Sequence, residues 1–148
     1  MTKAKERSPG ILIVDDEPTV SRVVKHTLAE LTLDVVIADS GKEAIEICAH
    51  RSFDLVISDV RMPEMDGIEL LQILAHDYPS MRRIILTGYA DMDQTVNAIN
   101  AGRVNRYLTK PWPGNDLVNV VSEELRIGEK DRLEISRLRD VIDKLSDN

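Results

Sequence analysis

A chain of 148 residues that is 43% hydrophobic but only 3% aromatic is long enough for one domain built around an aliphatic core. A formal net charge of −7, with lysines and arginines scattered rather than clustered, gives a nucleic acid no basic surface to meet and argues against direct binding. The single cysteine, Cys48, excludes an internal disulfide and a thiolate zinc site, and its place on an apolar stretch assigns it to the core.

Residues 1–9 are polar and are expected to form a flexible leader. Residues 11–14 are an unbroken aliphatic run closing on Asp15 and Asp16, the pattern of a strand buried on both faces of a parallel sheet. Pro18 suits a first helical position, and Val20, Val23, Val24, Thr27, Leu28 and Leu31 recur at helical spacing after it. Residues 33–38 read as a second strand. Ser40 and Glu43 then make a capping box for a helix with Ala44, Ile45 and Cys48 inward. The third strand, residues 55–58, ends at Asp59. A loop with Pro63 leads on to Asp66 and Glu69, a second capping pair, and to a helix carrying Leu70, Leu71, Ile73 and Leu74. Residues 84–86 form a fourth strand ending at Thr87. The weaker helix that follows, from about residue 91 to 101, is anchored chiefly by Val96 and Ile99. A short fifth strand around Tyr107 and Leu108 ends at Lys110, and a last core helix after Pro113 points Leu117, Val120, Val121 and Leu125 inward. Beyond Gly128 the charges alternate, and Ile135, Leu138, Ile142 and Leu145 are spaced three, four, three, a coiled-coil seam about two heptads long. The chain is therefore expected to divide into a domain over residues 10–127 and a helical extension over 128–148. That extension is either a solvated tail or a dimerising helix leading to an output domain.

Five alternating strand–helix units imply an α/β fold: a doubly wound, flavodoxin-like, five-stranded parallel sheet in the order 2-1-3-4-5 with helices on both faces. Such sheets bind ligands at the carboxyl ends of the strands, where the order reverses between the first and third. There this sequence places Asp15, Asp16, Asp59, Thr87 and Lys110. Taken singly, each has an ordinary explanation as a cap, a strand end or a solvated rim residue. Taken together, three carboxylates at one rim repel unless a cation or a proton intervenes. Oxygen ligands without His or Cys favour Mg²⁺, which commonly works beside phosphate oxygens. A carboxylate can attack phosphorus to give an acyl phosphate while an ammonium clamps the transferred group. This chemistry does not by itself choose which Asp is the nucleophile.

The stretches ILIVDDEP (residues 11–18), DLVISDVRMPEMDG (54–67), ILTGYAD (85–91) and RYLTKP (106–111) resemble the bacterial two-component response-regulator receivers, over about residues 10–127. The resemblance implies that Asp59 is the phosphoacceptor, that Asp16 and Asp59 bind Mg²⁺ directly, that Asp15 acts through water or the outer shell, and that Arg61 adds its backbone carbonyl. It further implies that Lys110 pairs with the phosphoryl group, that Thr87 and Tyr107 move together as the switch, and that Lys110–Pro111 is a cis peptide. The implied donor is a phosphohistidine on a sensor kinase or phosphotransfer protein. Phosphorylation is expected to strengthen a homodimer through the fourth-helix face or the C-terminal helix.

Some positions depart from the family or vary within it. The link before the fifth strand, residues 102–107, is one residue longer than the usual Gly-Ala-x-x-aromatic form. Arg61 and Tyr89 are bulky where the family tunes hydrolysis, so restricted water access and a long-lived acyl phosphate are expected. Trp112 resembles a subset whose longer proteins carry cyclic-di-GMP turnover or transcriptional activator modules. A phosphohydrolase of the haloacid-dehalogenase type is a rival, since residues 15–19 approach DxDxT, but Glu17 breaks the match. A second rival is a receiver-like module that signals without phosphate, and the intact acidic set argues against it. His26, His50 and His76 share no short spacing and are assigned to the surface. The protein is expected to be regulatory rather than a turnover enzyme. It is also expected to be cytoplasmic, since no apolar run reaches spanning length and no signal peptide begins the chain.

Overall fold

The computed structural model describes residues 7–147; residues 1–6 of the expected leader, and Asn148, lie outside the described residues. The chain runs β1 (Gly10–Val14), α1 (Pro18–Thr27), β2 (Asp34–Ala38), α2 (Gly41–His50), β3 (Leu55–Asp59), α3 (Gly67–Asp77), β4 (Arg82–Thr87), α4 (Met92–Asn100), β5 (Arg106–Thr109) and α5 (Asp116–Ser146). All strand pairs are parallel and the order is β2-β1-β3-β4-β5, the doubly wound arrangement expected. β1 and β3 are buried along their whole length, which is why they read as unbroken aliphatic runs.

Alternation of side chains along the strands divides the core into two layers. Leu12, Val14, Val56 and Ile85 face one side, with Leu70, Leu71 and Leu74 of α3. Ile11, Ile13, Leu55, Ile57, Ile84 and Leu86 face the other, with Val24 of α1 and Leu117 and Val121 of α5. Both capping pairs form: Ser40 Oγ accepts from the Glu43 amide at 3.0 Å, and Asp66 Oδ1 from the Glu69 amide at 2.8 Å. Cys48 is buried in the first layer, and His26, His50 and His76 are exposed.

The helices depart from expectation in two places. α1 stops at Thr27 and tightens into a 3-10 turn over Leu28–Glu30 that buries Leu28, and within α1 itself Ser21 and Val24 turn inward while Val23 points to solvent, 50% exposed. α4 shows a different face from the one expected: Thr95 and Ala98 are buried, Ile99 packs on the core from its edge, and Val96 is 41% exposed. The rotation follows from a polar tie, since the Thr95 hydroxyl bonds to that of Thr87. α5 is a single helix from Asp116 to Ser146 that carries on past residues 127/128 into the helical extension. Gly128 is buried there because a Cβ would stand 3.3 Å from Arg82 Cγ.

The long link before β5 has a buried anchor. Arg83 donates to the carbonyl oxygens of Met81 at 2.6 Å and Arg103 at 2.9 Å, and Asn105 bonds the Arg83 backbone in both directions. Burial, with Arg82 alongside, holds the Arg83 pKa below its ordinary value. The link residues Arg103 and Asn105 are thereby fixed against β4.

Candidate functional site

The register aligns Val14 with Ser58, Asp59 with Leu86 and Thr87 with Thr109, so β1, β3, β4 and β5 finish at one rim. That rim collects the five residues singled out from the sequence. Carboxylate oxygens of Asp15, Asp16 and Asp59 lie within 4.8 Å of one another. Lys110 reaches across from the end of β5, its Nζ donating to Asp59 Oδ1 at 2.6 Å. The Lys110–Pro111 peptide is cis.

Asp59 is held by its backbone. A Cβ on Gly67 would come 1.9 Å from the Asp59 carbonyl oxygen, and the Gly67 amide donates to Val60 O at 2.7 Å, so α3 begins directly against the end of β3. Ser58 Oγ also donates to the Asp59 carbonyl, at 2.9 Å. Glu64 in the intervening loop has φ +69, in the left-handed region.

The donor set fits a hard divalent cation. Asp15 and Asp59 are buried, 2% and 5% exposed, with Asp16 the more open third member. Asp15 Oδ1 accepts from the Glu17 amide at 2.9 Å, but Oδ2 is buried with no hydrogen-bond partner. Such an oxygen is costly unless something electropositive meets it. Burial pushes the Asp15 pKa from 3.8 up to about 6. The Glu17 amide opposes this, Asp59 and Asp16 reinforce it, and Lys110 opposes it. A raised acid pKa means that the folded state holds its proton while the unfolded chain has released it. Asp15 therefore lowers stability as pH rises from about 4 to about 6. Asp15→Asn is expected to gain stability relative to wild type across that window without divalent cation, and Mg²⁺ is expected to shrink the gain at pH 7. Thermal melts of both proteins at pH 4, 5, 6 and 7 read it directly, and a pH-independent difference would contradict it.

Around this centre lie groups that join it to α4. Thr87 is fully buried; its hydroxyl donates to Gly88 O at 3.1 Å and receives Thr95 Oγ1 at 3.1 Å. Thr95 Oγ1 also lies 2.9 Å from Asp91 O. Arg61, two residues after Asp59, swings outward to place Nε 2.9 and 3.2 Å from the two Asp91 carboxylate oxygens. Tyr107 is 41% exposed at the end of the sheet, Tyr89 is 89% exposed, and Trp112 packs half-buried on the second core layer. Sequence reasoning missed Thr95 and Asp91. Thr95 and Ala98 mark an alternative helical face one residue from Val96 and Ile99, and only contact with Thr87 decides between the two.

No helix among the described residues is long and apolar enough to cross a membrane. A family model described as the response regulator receiver domain matches residues 11–122. The response regulator protein PilR of Pseudomonas aeruginosa is 35% identical over 116 residues, covering 78% of this chain and 26% of its own length. The chain thus spans about a quarter of this relative. A receiver domain of an HD domain-containing protein from Pseudomonas fluorescens superposes with a TM-score of 0.81 at 34% identity, covering 88% of this chain and 96% of that one. A CheY-like receiver domain protein from Methanospirillum hungatei gives a TM-score of 0.78 at 33% identity, covering 84% and 99%. An acidic strand-end cluster facing a lysine, on this topology and with these likenesses, leads to one conclusion: the chain belongs to the response-regulator receiver domains, the phosphorylation-dependent signalling modules of two-component systems.

Proposed function

We propose that Asp59 is the residue phosphorylated, by attack of its carboxylate on a phosphohistidine of a partner sensor kinase or phosphotransfer protein. The observation that carries this is the Asp59–Lys110 contact inside the acidic cluster, since it sets a nucleophilic oxygen beside a cation able to hold the incoming group. Asp16 and Asp59, with the Arg61 carbonyl, would hold Mg²⁺ directly, and Asp15 would support it from the outer shell. The bound ion supplies charge neutralisation on the phosphoryl oxygens. Lys110 orients that group, and the Thr87 hydroxyl is the donor for the product's oxygens. Catalysis by the chain is confined to its own phosphorylation and dephosphorylation, in the cytoplasm. The bond formed is an acyl phosphate, which neutral hydroxylamine discharges. A phosphorylated chain that kept its label through that treatment would refute the assignment to a carboxylate.

Switching follows from where the ties to α4 end. A phosphoryl group adds a charge of about −2 and three acceptor oxygens beside Asp59, and so competes for Thr87 with Thr95 and for Arg61 with Asp91. Loss of both ties loosens the first turn of α4, and Tyr107 turns inward as Thr87 leaves. The result is a population shift of the α4–β5–α5 face. Self-association through α4 or the C-terminal helix accompanies it. Arg61 and Tyr89 also limit water access, so the acyl phosphate is long-lived. The double variant Arg61→Ala, Tyr89→Ala is expected to lose phosphate about tenfold faster, equivalent to about 1.4 kcal/mol off the hydrolysis barrier. Equal decay in wild type and variant would remove these residues from the tuning role.

A further inference from the structure

The amino-terminal ends of the strands, the pole of the sheet opposite Asp59, carry a second concave site. A cavity of about 320 Å³ opens there between the end of α2, the approach to β3 and the turn from α3 into β4. That volume stands at the small end of ligand pockets. Its apolar lining runs from Phe53 and Met81, both buried, to Tyr78 and Pro79 at the surface. In a chain with only 3% aromatics, the one phenylalanine and one of the three tyrosines meet here.

Three guanidiniums join this lining. Arg51 lies over the Phe53 ring, 4.6 Å from its centroid, and its Nη2 donates to Asp34 at 2.8 Å. Arg132 donates to Asp54 Oδ1 at 2.7 Å and pairs with Glu129, a clasp that brings α5 to the cavity. Arg7 stands 3.8 Å from Asp54 Oδ2. Asp54, the one carboxylate in the lining, is already met by Arg132 and by the Gly10 amide at 2.8 Å. Three cations against one satisfied carboxylate make a positive spot on a chain of net charge −7. Among the described residues these contacts occupy no more than two of the five N–H groups on each guanidinium, so donors remain for an incoming anion.

We propose that this cavity binds a small aromatic oxyanion, one flat ring bearing a carboxylate or a phosphate group. Phe53, Met81 and Tyr78 supply apolar surface for the ring. The arginines supply the planar, paired donors that carboxylate and phosphate oxygens fit. Neither half of the ligand suffices alone: a bare anion buries no apolar surface, and a neutral ring leaves the excess positive charge unmet. The volume restricts the occupant to a single ring and is too small for a dinucleotide. The cavity shares no residue with the acidic rim, so this binding does not depend on Asp59 being the phosphoacceptor.

Phenyl phosphate and benzoate, titrated separately into the isotopically labelled whole chain without Mg²⁺, test the two forms of the anion. Each has roughly ten non-hydrogen atoms, so the tighter is expected to bind at about 1 mM and to identify the group the arginines prefer. Backbone amide shifts are expected at Phe53, Tyr78 and Met81 and not at Asp59 or Thr87, equally in wild type and Asp59→Asn. Inorganic phosphate and benzyl alcohol, the anion and the ring apart, are expected to bind about tenfold more weakly or worse. Arg7→Gln and Arg51→Met are each expected to weaken binding about tenfold, by removing a charge-assisted donor. The Arg7 side chain is 77% exposed, so its replacement leaves the fold intact and any loss is a loss of contact. No shift at these amides with about 10 mM of either acid, beyond the affinity such ligands reach, would overturn the proposal. So would affinities unchanged in both variants, or inorganic phosphate binding as tightly as phenyl phosphate.

Discussion

Gly67→Ala is expected to destabilise the protein by about 3 kcal/mol, at the upper end of what overpacking normally costs. The added methyl would stand 1.9 Å from the Asp59 carbonyl oxygen and 2.9 Å from Ser58 Oγ. The first of these is backbone at the end of the central strand β3, where Asp59 is in register with Leu86 of β4, so it cannot swing aside as a side chain tip does. Either α3 backs away and opens the core at Leu70 and Leu71, or the end of β3 shifts and carries Asp59 with it. The substitution therefore couples stability to the site, and phosphoryl uptake is expected to fall along with the folding free energy. Gly88→Ala supplies the control, since nothing lies within 4 Å of a Cβ there. Denaturant unfolding of the three proteins with a common slope measures the difference. A Gly67→Ala midpoint equal to that of Gly88→Ala would mean that α3 has more freedom at its start than the contacts allow.

Lys110→Ala is expected to slow phosphoryl uptake from a small donor about a hundredfold, the scale on which loss of a single preorganised charge-stabilising donor is felt. Lys110 is the cation in direct contact with the proposed acceptor carboxylate, 2.6 Å from Asp59 Oδ1, and it approaches from the end of β5, opposite the acidic pair that follows β1. It thus offsets negative charge in the resting cluster and can follow the phosphoryl group once that group arrives. Removing it leaves three carboxylates with no ammonium among them, so the variant is expected to need more Mg²⁺ for any remaining uptake. Rates taken from the appearance of phosphoprotein over a Mg²⁺ series separate the two effects. A rate matching wild type at every Mg²⁺ concentration would dismiss Lys110 from the chemistry.

What the sequence disclosed and what it withheld divide along physical lines. β1 and β3 announced themselves because strands buried on both faces have no polar position to confuse the pattern. The five rim residues were legible because each stands at or just past the end of a predicted strand, and a parallel sheet brings all such ends to one edge. α4 was misread at its face because its apolar residues are few, so the Thr95–Thr87 bond, a tertiary contact, decides the rotation. Val23 was misplaced because α1 is narrow at its buried face: Ser21 and Val24 turn in, and Val23, one residue from Val24, falls on the solvent side. The Arg83 anchor and the Arg132–Asp54 clasp carry no local signature, since their partners lie 20 and 78 residues away. The long link before β5 was visible as an insertion, but its fixation by a buried guanidinium was not.

The central claim is tested most directly by intact-mass spectrometry of the chain after incubation with acetyl phosphate, with and without Mg²⁺, for wild type and Asp59→Asn. A single phosphoryl adduct on wild type that requires Mg²⁺ and is absent from the folded variant is the result predicted. A folded wild type that takes up no phosphoryl group, or an Asp59→Asn variant that takes it up equally, would contradict the assignment and leave a module that signals without Asp59 phosphate.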